Sequence, residues 1–239
     1  MNWNLDGLTS LELPEHTVHV WEVAVPAEAV IADLVRLLTP SELQRAAQFR
    51  VPAPRGEFIT GRALLRQLLG LYRGADPRTI TLRTNTYGKL HAVGNFPYFN
   101  LSHSDGRVLL AFAEAALGVD IERIRPDMAT VEIAQHYFSV AEQAVFASLE
   151  PGRQVEAFFR CWALKEAYIK AQGKGLSLGL DRFEVAFAPG VEAALLATYD
   201  DPAEAGRWQL ARLDVAAGYA GALAIRGTGW RVEQQAISF

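Results

Sequence analysis

Lysine is scarce in this chain of 239 residues, and three of its four lysines, Lys165, Lys170 and Lys174, fall within the segment Phe158–Leu180; the fourth is Lys89. The remaining side-chain bases are Arg and His. A compact, flexible ammonium suits a phosphate that must be gripped and then released. Glu166 sits among these cations, on a helical stripe with Trp162 and Ile169, where a core residue is expected. Two further carboxylates, Asp120 and Glu122, end the apolar run Gly118–Val119–Asp120–Ile121–Glu122. The two-residue period of a strand sends both to one face. Like charges side by side repel unless a cation lies between them. Three carboxylates without a Cys or His set suit a hard ion, Mg²⁺ or Mn²⁺, which commonly also holds substrate phosphate oxygens. The plainer readings are a solvated strand end near Arg123 and Arg125, and a Glu166–Lys170 pair at i, i+4.

Lys165 and Lys170 are five residues apart on one helix, about 140° round its axis at roughly 100° per residue. They could embrace a pyrophosphate lying along the helix, or be two solvated charges. Ser102–His103–Ser104 reads as a polar turn between two apolar strands, whose hydroxyl and imidazole donors could ligate phosphate. The Ser/His neighbours are not a hydrolase site, since no Gly-x-Ser-x-Gly elbow is present. No Walker loop or dinucleotide-binding glycine fingerprint occurs either.

Those groups must be positioned by a globular fold. The chain is 50% hydrophobic and long enough for one large or two small domains. Its net charge of −4 gives no overall attraction to nucleic acid or anionic membrane. Cys161 is the sole cysteine, so neither an intrachain disulfide nor a cysteine zinc cluster can form, which favours a reducing, cytoplasmic setting. The first residues lack the basic and apolar regions of a secretion signal, and no apolar run reaches membrane-spanning length.

The pattern predicts a strand at Val18–Val25, a helix at Ala27–Leu38, a helix opening at Thr39–Pro40, and a long helix over Arg55–Leu71 with an arginine-bearing outer side. Short strands follow at Thr79–Arg83, Tyr98–Leu101, Val108–Ala113 and Leu117–Ile121, read as an antiparallel meander. Helices then return at Ala129–Tyr137, Ser139–Leu149 (a capping box) and Arg153–Gln172, closed by Gly173. Strands at Phe183–Phe187, Trp208–Leu213, Tyr219–Arg226 and Trp230–Ala236 end the chain, with a surface loop over Ala188–Gly206. The repeated order suggests a duplicated α+β unit.

Taken in order, Phe99–Asn100–Leu101–Ser102–His103–Ser104, Gly118–Val119–Asp120–Ile121–Glu122, Phe159-x-x-Trp162-x-x-Lys165–Glu166–Ala167-x-x-Lys170 and Gly173–Lys174–Gly175–Leu176 resemble the motifs of the Sfp-type 4′-phosphopantetheinyl transferases. Tyr87–Gly88–Lys89 is similar to that family's Tyr-Gly-Lys-Pro motif, with Leu90 in place of proline. The resemblance runs from about Thr39 to Val185. It implies an α+β chain of two similar α/β subdomains, residues 1–116 and 117–239, related by a pseudo-twofold axis with coenzyme A between them. It implies Mg²⁺ (or Mn²⁺) at Asp120, Glu122 and Glu166. Ser102, His103, Lys165 and Lys170 would contact phosphates, with Lys89 beside the nucleotide. Relatives often carry lysines after the Ser/Thr-Pro for the 3′-phosphate. Here Arg45, helped by Arg50, Arg55 or Arg62, would serve.

The implied reaction is attack of a carrier-protein serine on the β-phosphate, releasing 3′,5′-ADP, with Lys170 at the reacting phosphate. The serine needs a base, and Glu166, next to the metal, is the candidate; a metal-bound carboxylate is a weaker base, so a water relay and Glu122 stand as alternatives. The implied role is preparing holo carrier proteins for fatty acid, polyketide or peptide-synthetase chemistry, as a cytoplasmic monomer. Arg123, Arg125, Met128, Ile133 and Phe138 form the expected carrier-docking face; the alternative is that Ile133, Tyr137 and Phe138 are core. A Mg²⁺ nuclease is disfavoured, because Arg123 and Ile124 follow Glu122 where such a site needs lysine. A non-catalytic carrier-binding protein is disfavoured by the complete set Asp120, Glu122, Glu166, Lys165 and Lys170.

Overall fold

A computed structural model describes residue 5, residues 8–128 and residues 131–239, with residues 176 and 177 described by backbone alone. The chain divides into two compact units. The first comprises residues 1–85, 90–114 and 231–239 as far as they are described, and the second residues 86–89 and 115–230.

In the first unit, β1 (Thr17–Ala24) leads through α1 (Glu28–Leu34) and a 3₁₀ turn to α2 (Pro40–Ala47) and α3 (Pro52–Arg73). The helix predicted over Ala27–Leu38 therefore tightens after Leu34. Thr39 caps α2 through a capping box with Glu42, and Pro40 occupies the first turn, where its missing N–H costs nothing. Gly74, at φ 62°, closes α3 in the left-handed region. The short strands β2 (Leu82–Thr84) and β3 (Leu90–Ala92) pair with each other.

β4 (Tyr98–Ser104) and β5 (Arg107–Ala113) form a hairpin around Asp105 and Gly106, both at positive φ. Ser102, His103 and Ser104 therefore lie on the strand; only two residues make the turn, because the ladder continues to Ser104↔Arg107. The sheet order is β11-β1-β5-β4, where β11 (Arg231–Ile237) pairs parallel with β1. That pairing places the last strand in the first unit, against the expected 117–239 subdomain, and breaks the expected meander, since β5 pairs with β1. Ile59, Leu64, Leu65 and Leu68 of α3 pack with Val108, Leu110 and Phe112 of β5 in this unit's core.

In the second unit, β6 (Leu117–Arg123) precedes α4 (Val131–Tyr137), α5 (Val140–Ser148) and α6 (Pro151–Gln172). The expected start of α4 at Ala129 lies outside the described residues. Short strands β7 (Phe183–Val185) and β8 (Leu195–Thr198) pair with each other, so the segment predicted as loop contains a strand. β9 (Trp208–Leu213) and β10 (Tyr219–Arg226) complete an antiparallel sheet ordered β6-β10-β9. Ala220, Ala222 and Ala224 of β10 share one core with Ala157, Ala167 and Ala171 of α6. Small side chains on both surfaces let the helix lie close to the sheet. Of the described helices, none is long and apolar enough to cross a membrane.

Candidate active site

At Gly118, β6 lies directly against the backbone of α6. A Cβ built there would lie 2.2 Å from the Ala167 carbonyl oxygen and 2.3 Å from the Ala171 nitrogen. Only glycine fits against that backbone. Two residues further along the same strand face, Asp120 is carried to the same helix.

Asp120 is 2% exposed, and its Oδ1 accepts a 2.5 Å hydrogen bond from Lys170 Nζ. Glu166 lies one turn before Lys170 and is half-buried. Burial pushes the Glu166 carboxyl above the usual carboxylate range, the Asp120 charge adds to the rise, and Lys170 opposes it. Glu122, half-buried, follows on the same face, opposite Ala220.

The structure thus brings Asp120, Glu166 and Lys170 together. Among the described residues, however, no three His, Cys, Asp or Glu side chains converge as a metal centre. The expected three-carboxylate cage is not assembled, and the Lys170 ammonium holds the position against Asp120 Oδ1. The donor set still fits a hard cation. Mg²⁺ is ordinarily held by one or two carboxylates plus phosphates and water rather than by an all-protein cage. Asp120 and Glu166 press their charges on each other with one ammonium against them.

Lys165 departs from expectation. Its side chain is 0% exposed, and Nζ lies 2.7 Å from Glu142 Oε2, 2.8 Å from the Leu180 carbonyl and 2.7 Å from the Phe183 carbonyl. An ammonium has three donors, and all three are used. The expected phosphate contact is therefore corrected: Lys165 is a buried strut. Glu142 completes this network by accepting from Ser139 N and Val185 N, and burial pushes its carboxyl upward against the pull of Lys165.

Lys89 donates to the carbonyls of Leu117 (2.8 Å) and Ala171 (3.0 Å), tying the start of β6 to the last turn of α6. An ammonium suits the carbonyl end of a helix. Burial lowers its pKa to about 8.

In the first unit, Arg45 and Arg62 line a cavity of about 430 Å³ together with Thr39, Arg66 and Arg78. Arg45 lies over the Phe49 ring and Arg62 over Phe58, and burial lowers the Arg62 pKa. Arg66 is bound by both oxygens of Glu42. Arg55 is not in the lining; it stands 3.6 Å from Glu28. Ser102 is buried, and His103 Nδ1 meets Glu57 Oε2 at 2.8 Å.

Sequence reasoning missed Glu57, Arg66 and Arg78. The signal for Glu57 was a charge on the same stripe of α3 as Gly61, Leu64 and Leu68. Of the expected docking face, Phe138 is core at 1% exposure and Ile133 packs against that core, whereas Met128 is 42% exposed.

Comparison with known proteins bears on this geometry. A model described as the 4′-phosphopantetheinyl transferase superfamily matches residues 116–224. The chain is 33% identical over 228 residues to the 4′-phosphopantetheinyl transferase HetI of Nostoc sp., covering 93% of each chain. It is 32% identical over 150 residues to the 4′-phosphopantetheinyl transferase Sfp of Bacillus subtilis, covering 62% of this chain and 66% of that one. Among solved structures, a holo-(acyl-carrier-protein) synthase from Bacillus anthracis in complex with CoA (3′,5′-ADP) matches with TM-score 0.39 and 20% identity, over 48% of this chain and 97% of that one.

Proposed function

The chain belongs to the 4′-phosphopantetheinyl transferase superfamily, and on that premise we propose that it transfers the 4′-phosphopantetheine arm of coenzyme A to a serine of an apo carrier protein. The serine oxygen forms a bond to the β-phosphorus of coenzyme A. The bond from that phosphorus to the bridging oxygen breaks, and 3′,5′-ADP leaves with the α-phosphate. The observation that carries this reading is the juxtaposition of Asp120, Glu166 and Lys170 on β6 and α6.

Each side chain has a role that its surroundings support. Glu166, beside Asp120 and one turn before Lys170, takes the serine proton directly or through a water. Lys170, one turn on and 29% exposed, offers its ammonium to the phosphate oxygens as well as to Asp120. Asp120 holds that ammonium in place. Mg²⁺, held by Asp120 and Glu166 with Glu122 on the same strand face, would neutralise the diphosphate of coenzyme A when bound. Arg45 and Arg62 take the 3′-phosphate in the arginine-lined cavity of the first unit, and Ser102 and His103, on β4 outside that lining, contact a phosphate. Arg55, paired with Glu28 outside that cavity, is left without this role.

The carrier protein docks against Arg123, Arg125 and Met128 after the β6 carboxylates. The enzyme acts as a cytoplasmic monomer, where its buried thiol, Cys161, stays reduced. Incubation with coenzyme A, Mg²⁺ and a panel of apo acyl and peptidyl carrier proteins, read by intact mass, tests the proposal. Addition of one phosphopantetheine arm to the carrier supports it, and an unmodified panel overturns it.

A further inference from the structure

We infer that Glu57 is a positioning residue for His103, presenting the imidazole to an oxyanion of the bound nucleotide. The inference rests on the proposal that His103 contacts a phosphate.

Glu57 lies on α3, its side chain only 9% exposed, and both of its oxygens are committed. Oε1 accepts the Gly106 N–H at 2.7 Å, and Oε2 lies 2.8 Å from His103 Nδ1. A carboxylate only accepts, so Nδ1 carries the proton of that contact. The other ring nitrogen, Nε2, has no protein partner among the described residues, and the His103 side chain is 42% exposed. Nε2 is therefore the atom left for a ligand. An oxyanion placed there requires a second proton on the ring, and the imidazolium then bridges two anions, one of them supplied by the protein. A carboxylate that orients a ligand-binding imidazole from behind does the same work at metal sites.

The clamp has a second arm. Asp105 and Gly106 turn the β4–β5 hairpin at φ 43° and 83°, and the Gly106 carbonyl accepts Val25 N at 2.9 Å. Glu57 thus secures the end of the hairpin that carries His103 while it orients the ring. Glutamine cannot replace it. Its amide offers one acceptor and one NH₂, so either His103 Nδ1–H or Gly106 N–H would face a donor.

The test is a double-mutant cycle on coenzyme A affinity by calorimetry, using the full chain. We expect His103→Ala to raise Kd about tenfold, Glu57→Gln about fivefold, and the double variant no more than about twofold beyond His103→Ala. If Glu57→Gln adds its whole factor in the His103→Ala background, it acts on the fold rather than through His103, and the inference is overturned. Unchanged affinity in Glu57→Gln beside a weakened His103→Ala overturns the inference alone. Unchanged affinity in His103→Ala removes the phosphate reading beneath it.

Long-range ¹H–¹⁵N spectra give a readout that does not depend on stability. The native ring should show a protonated Nδ1, and Glu57→Leu, which offers Nδ1 no acceptor, should shift the proton towards Nε2. An unaltered ring spectrum in that variant also overturns the inference.

Discussion

Gly118 and Ala167 are in backbone contact: a methyl group on the glycine would overlap the Ala167 carbonyl, at 2.2 Å. This approach holds β6 against α6 and so sets Asp120 beside Lys170 and Glu166. The obstacle is helix backbone, which cannot rotate aside as a flexible side chain can. Gly118→Ala should lose at least the ~1–3 kcal/mol typical of overpacking, and the survivors should lose activity as Asp120 is displaced. Urea denaturation with a transfer assay checks both. Native stability with full turnover would show the contact to be soft.

Glu166→Gln keeps the size of the side chain and removes its charge and basicity. Transfer to the carrier serine should fall by about 10²–10⁴ with the fold intact, as for loss of a general base. Circular dichroism and steady-state rates with Mg²⁺ saturating decide the matter. A near-normal rate would leave Glu166 without its assigned role.

Lys165 is adjacent in sequence but opposite in consequence. Lys165→Met leaves Glu142 as an uncompensated buried charge and should cost about 3–5 kcal/mol of stability. Replacing both residues by apolar ones of similar volume should recover much of that loss. Coenzyme A affinity of the folded Lys165→Met protein should be unchanged. Weakened binding in calorimetry without loss of stability would return Lys165 to the phosphate site.

Lys89 gives a pH signature. Its folded pKa of about 8 lies below its ordinary 10.5. Between those values the unfolded chain holds a proton that the folded protein has released, so stability rises with pH across that window. The neutral amine still has two N–H groups for the Leu117 and Ala171 carbonyls. Melting temperatures from pH 7.5 to 10.5 should therefore rise relative to those of Lys89→Met. Parallel curves for the two proteins would refute the shift.

Much of the architecture was legible because local rules governed it. Thr39 with Pro40 announced the start of α2, Ser139 with Glu142 announced a capping box, and Gly173 announced the end of α6, through backbone donors and acceptors a few residues away. The hairpin end was misplaced by three residues, since Ser102–Ser104 looks polar enough for a turn and only the ladder to β5 shows it to be strand. The pairing of β11 with β1 could not be read at all, because partners so far apart in the chain carry no mutual periodicity.

For the site, the amino-acid sequence by itself determined the family, the two-residue spacing of Asp120 and Glu122, and the helical register that puts Glu166 one turn from Lys170. Tertiary packing alone decided which charges stand at a partly open surface and which are buried as struts. Lys165 and Lys170 have the same chemistry and lie on one helix. One points into Glu142 and two carbonyls, the other towards Asp120 at a partly open surface. Burial and the supply of nearby acceptors separate them, and both arise from elements distant in the chain.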